Sequence, residues 1–140
     1  MINLKEDLKK LFRLNLGIDM KEWIYLVIAS VFEVAWIYSV KFMRFKDLFK
    51  VHFTELFTTK NLSITLPILG YIIFGIGNII LFSKAMKTIP AGIAYSVWMS
   101  VALIFVKITD VTIFKQPITF LQVVFILLIL IGVVGLKVTE

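Results

Sequence analysis

The chain of 140 residues is 60% hydrophobic, carries 15 Lys and Arg against 9 Asp and Glu for a net charge of +6, and has no cysteine. Its mean hydropathy of +0.97 is too high for an ordinary soluble domain, which runs at about 45–50% apolar residues; the composition reads as a membrane protein and excludes disulfides and thiol chemistry. The charges fall mostly at the ends of apolar blocks, so the basic balance reads as membrane flanks and not as a nucleic-acid footprint.

Residues 1–22 form an amphipathic lead. In LKEDLKKLFRL, Leu4, Leu8, Leu11 and Phe12 recur at helical spacing with Lys5, Lys9, Lys10 and Arg13 between them, the pattern of a basic helix lying in the membrane interface. The first apolar block, residues 23–40, follows. With a charged lead before it, a glutamate inside it and no small-residue cleavage site after it, it reads as a retained span and not a signal peptide.

Residues 42–60 read as a second amphipathic insertion, FMRFKDLFKVHFTELF, in which Phe42, Phe45, Phe49, Phe53 and Phe57 repeat at three- and four-residue intervals. His52, the only histidine, lies among charges there and reads as solvated. Three further spans are expected at about 64–82, 91–110 and 118–138, each close to the roughly 17–25 residues a bilayer requires. Pro67 stands near the start of the second, Pro90 before the third and Pro117 before the fourth, in the first-turn position that proline tolerates. The expected fold is therefore an all-α membrane protein with one four-helix transmembrane domain, 23–138, plus interfacial amphipathic helices in the lead and the first loop.

Lys5, Lys9, Lys10, Arg13, Lys21, Lys84, Lys87 and Lys137 fall on one side of such a bundle, and Lys41, Arg44, Lys46, Lys50, Lys60 and Lys115 on the other. This small excess leans toward both termini inside, with insertion in both orientations left open. Lys107 and Asp110, three apart in the third span, are placed to pair locally at the membrane edge.

Glu33 interrupts the first span in SVFEVAWIYSV. An ionised carboxylate in hydrocarbon is costly and marks a functional site whose partners must come from the rest of the chain. Ser30 and Trp36 share its helix face, the second span offers Asn78 in GIGNII, and the third offers Tyr95 and Trp98 in AYSVW. Gathered together, these side chains make a cation pocket, with a carboxylate to neutralise charge, aromatic faces for cation–π attraction and polar groups to orient donors. Burial disfavours the charged carboxylate, so proton and cation compete for one group, which is sufficient for exchange.

No nucleophile–base set, metal-ligand spacing or phosphate-cradling glycine loop is present in the sequence. Catalytic, metal and cofactor chemistry are accordingly not expected, and the protein does not read as an enzyme. Four short helices with one membrane glutamate are too few to enclose a polar path, so an oligomer is expected; ILLILIGVVGLKV, with Gly132 and Gly135, is its candidate packing surface.

FEVAW in the first span, KTIPAGIAYSVW across the second loop and third span, and the ending IGVVGLKV resemble the small multidrug resistance family of bacterial proton-coupled exporters over most of residues 23–138. The resemblance implies antiparallel dimers of four-helix subunits in the cytoplasmic (inner) membrane, with Glu33 shared by protons and a small cationic substrate and with Tyr95 and Trp98 beside it. Trp36 and the GLK ending are similar to the guanidinium-exporting branch, whose planar substrate suits bidentate pairing with a carboxylate. Ser30 stands where that branch usually has glycine and Asn78 where it usually has serine, and MSVALIFV replaces the family's glycine-rich thread after Trp98. A homodimeric guanidinium exporter is expected; an exporter of hydrophobic quaternary ammonium compounds and a non-transporting partner subunit of a heterodimer stand as alternatives.

Overall fold

The computed structural model describes residues 20–48, 58 and 61–139. The amphipathic lead up to residue 19, together with Phe49, Lys50, His52, Phe53, Phe57 and Lys60 of the first-loop insertion, lies outside the described residues.

Helix α1 spans Met20–Phe42, a single short turn α2 spans Phe45–Leu48, and α3, α4 and α5 span Leu62–Ala85, Ala91–Thr112 and Phe120–Val138. Four of these are long and apolar enough to cross a membrane, which makes the chain a multi-pass membrane protein. Only a minority of their residues are buried within the subunit, as expected where lipid and not water is the outer solvent; α5 buries no residue at all.

The helix ends follow local chemistry. Pro90 caps α4 with its carbonyl, which accepts from the Ala94 N–H at 2.9 Å. At the start of α5, Thr119 and Gln122 form a reciprocal capping box, satisfying two otherwise orphaned N–H groups. That box begins the helix at Phe120 and leaves Pro117 in the connection, not at the helix's first position. The turn after α4 contains Lys115 with φ 54°, a left-handed conformation unfavourable for a lysine.

The packing runs up and down. Antiparallel pairing of α1 with α3 sets Ser39 against Gly70, Trp36 against Gly75 and Phe32 against Gly77. A Cβ on Gly75 would stand 3.0 Å from the Trp36 indole, and one on Gly77 would collide with the Phe32 ring; glycine is what lets these backbones approach. Helices α1 and α4 run parallel, because the Ser30 hydroxyl meets the Trp98 carbonyl at 3.0 Å and the Tyr38 hydroxyl meets the Val106 carbonyl at 3.1 Å. At one end of the bundle Leu26, Ala85, Ile89, Ile93 and Ala94 form a small buried core with Trp23, Tyr25, Phe82, Val97 and Trp98 packed around it. The Lys137 ammonium of α5 lies 4.3 Å from the Trp23 ring of α1 at the same end.

Candidate functional site

Glu33 lies nine residues before the end of α1 at Phe42, about 14 Å of helix rise from it, and so well inside the span. Its carboxylate faces α3, where the antiparallel pairing brings Asn78 opposite. The Asn78 Nδ2 donates to Glu33 Oε2. Asn78 is 8% exposed, and its Oδ1 accepts from the Trp98 indole N–H at 3.2 Å. Trp98, Asn78 and Glu33 are thus one donor-to-acceptor chain across three helices. With its acceptor occupied by the indole, the amide can present only N–H to the carboxylate.

A groove of about 500 Å³ opens beside this chain, lined by Glu33, Trp36, Tyr71, Asn78 and Trp98 with apolar wall from Ile72, Ile76 and Ile79. The Trp36 and Tyr71 rings lie 5.4 Å apart at 33° and make an aromatic flank. The arrangement offers one carboxylate, held from one side by an amide, and π faces next to it: the chemistry that binds a small organic cation.

Of the residues expected around Glu33, Trp36, Asn78 and Trp98 line the groove. Ser30 is fully buried, and its hydroxyl lies 2.9 Å from the Leu26 carbonyl and 3.0 Å from the Trp98 carbonyl. It sits in the α1–α4 seam with its one proton shared between two backbone oxygens. Tyr95 is half-exposed and packs its ring on Trp98 at 5.5 Å and on Phe82 at 6.5 Å, behind the groove and outside its lining. Tyr71 is the residue that reading the sequence missed. It stands seven residues before Asn78, two helical turns along the same face, and that spacing was the available signal.

Asp110 also takes a different partner from the one its spacing suggested. Among the described residues its ion pair is with Lys41 of α1, at 3.9 Å, and not with Lys107. The parallel pairing of α1 and α4 aligns Tyr38 and Lys41 with the last turns of α4, where they compete successfully with the local lysine.

Residues 21–129 match the family model described as Small Multidrug Resistance protein. Among curated relatives, a guanidinium exporter of Escherichia coli is 28% identical over 115 residues, 82% of this chain and 94% of the relative. One of Yersinia pestis is 27% identical over 115 residues, 82% and 95% of the two chains. An uncharacterized membrane protein of Bacillus subtilis is 28% identical over 118 residues, 84% and 86% of the two chains.

Proposed function

The chain belongs to the small multidrug resistance family, a family of transporters and not of enzymes, and from that premise we propose that it exports guanidinium or a related small guanidinyl cation across a bacterial inner membrane in exchange for protons. The observation that carries this reading is the Glu33 carboxylate held by Asn78 beside the Trp36 and Tyr71 rings.

A carboxylate has about four lone-pair sites, enough to accept two parallel N–H bonds from a guanidinium as well as the amide of Asn78. Protonation removes the charge and fills one of those sites, so proton and substrate exclude each other. The Asn78 N–H remains a suitable donor in both states, since the unprotonated oxygen of a neutral carboxyl still accepts. The carboxyl is therefore held in place while its charge changes.

One subunit leaves the groove open on its lipid side. A second copy closes it in this reading, and α5 is the packing surface, because it buries nothing within the subunit and, among the described residues, none lies within 4 Å of where a Cβ on Gly132 or Gly135 would stand. The assembly proposed is an antiparallel homodimer with its two Glu33 carboxylates sharing one cavity.

Transport into liposomes tests this. A proton gradient should drive guanidinium uptake by the intact protein and none by Glu33→Gln. Retained proton-driven uptake in that variant would sink the assignment of Glu33. The apolar wall of Ile72, Ile76 and Ile79 favours a second reading, export of hydrophobic quaternary cations. Competition of guanidinium uptake by a bulky aromatic cation distinguishes the two.

A further inference from the structure

A second constellation of the same chemistry lies outside the groove. Asp110 is near the end of α4, beside the last turns of α1. Its Oδ1 accepts from the Tyr38 hydroxyl at 2.9 Å, and that hydroxyl shares its proton with the Val106 carbonyl at 3.1 Å. The Tyr38 and Phe114 rings stack at 5.1 Å and 18°. Phe42 adds a third ring, 5.9 Å from Phe114. A carboxylate positioned by a phenol and walled by aromatic faces is what an organic cation binds.

A cation is already there, and it belongs to the chain. The Lys41 ammonium lies 3.7 Å from the centre of the Phe114 ring, 5.3 Å from the centre of the Tyr38 ring and 3.9 Å from Asp110 Oδ1. It is not firmly held. The Lys41 side chain is 44% exposed and that of Asp110 28%, and an ion pair of such exposure shifts an equilibrium by about fivefold at most.

The rest of the site does not depend on the lysine. Tyr38 fixes the carboxylate independently, and the turn after α4 fixes Phe114: Gln116 N–H donates to the Asp110 carbonyl at 2.9 Å and Phe114 N–H to the Thr109 carbonyl at 3.4 Å, with Lys115 in the left-handed region between them. Among the described residues Asp110 Oδ2 has no hydrogen-bond partner, which leaves lone pairs for a second N–H. Tyr38 and Phe42 also border a separate hollow of about 450 Å³ between α1 and the start of α3, lined in part by Arg44 and not by Asp110 or Phe114.

We propose that Asp110, Tyr38 and Phe114 form a second cation site, distinct from Glu33, which Lys41 fills with its own ammonium and which a small alkylammonium or guanidinium cation occupies when that lysine leaves. Lys41 is eight residues beyond Glu33 on α1, about 12 Å of helix rise, so the two sites lie in succession along one helix. Lys41 is then a tethered competitor, and a tether of this kind acts at an effective concentration in the millimolar range or above.

The test is made in the Glu33→Gln background, where the groove carboxylate is absent, so its outcome is independent of the exchange reading. Purified protein in detergent, with isotope-labelled tyrosine and phenylalanine, is titrated with methylammonium chloride at constant ionic strength while the Tyr38 and Phe114 ring resonances are followed. Adding Lys41→Ala should lower the apparent Kd by about two- to fivefold, the loss of one weak tethered competitor, and adding Asp110→Asn to that variant should abolish the saturable shift. Lys41→Gln serves as the second variant if Lys41→Ala does not elute as a single folded species. Equal Kd values with and without Lys41, or binding that survives Asp110→Asn, would overturn the proposal.

Discussion

Asn78 reaches the Glu33 carboxylate from α3 while its own carbonyl is held by the Trp98 indole of α4. The amide is therefore a fixed bridge between two helices and the charge on a third, and its removal has two separable effects. Asn78→Ala should weaken guanidinium binding about tenfold, the loss of roughly one hydrogen bond to a charged group, whereas Asn78→Asp, which substitutes a second carboxylate for the donor, should abolish proton-coupled exchange. Calorimetric titration of both variants measures this.

Tyr71 stands with Trp36 on the aromatic flank of the groove. Tyr71→Ala should raise the Kd for guanidinium by about 3- to 30-fold, the range of one partly desolvated cation–π contact, and Tyr71→Phe should keep most of the affinity, because the ring face and not the hydroxyl supplies the attraction. Equal losses for both substitutions would contradict this role.

Ser30 is in the α1–α4 seam and its hydroxyl is engaged by two carbonyls. Ser30→Ala should cost about 1 kcal/mol of stability, read as a lower midpoint of thermal unfolding in detergent. It should leave the guanidinium Kd within about twofold. A large change in affinity without loss of stability would return Ser30 to the pocket.

Gly77 sits where a Cβ would meet the Phe32 ring. Gly77→Ala should destabilise the α1–α3 pair by about 1–3 kcal/mol, and Phe32→Leu introduced with it should recover part of that loss. The double-mutant cycle on thermal stability measures the coupling.

The four spans are legible in the order of residues, because a helix must satisfy its backbone internally in lipid and so declares itself as an apolar block of about 20 residues. Glu33 is legible for the same reason, since a carboxylate inside such a block stands out against its surroundings. Asn78 and Trp98 could be named as partners by type, and the family motif around Tyr95 and Trp98 could be read directly.

Which faces meet was decided elsewhere. The close approach of α1 and α3 at Gly75 and Gly77, and the parallel seam that aligns Ser30 with Trp98 and Tyr38 with Val106, are pairings between positions far apart in the chain. They turn Ser30 away from Glu33, carry Tyr71 into the groove, leave Tyr95 behind it and give Asp110 to Lys41 in place of Lys107. Local spacing sets what shares a face on one helix; the rotation of that helix against its neighbours depends on how side chains and glycines fit across the seam, and only the folded bundle contains that information.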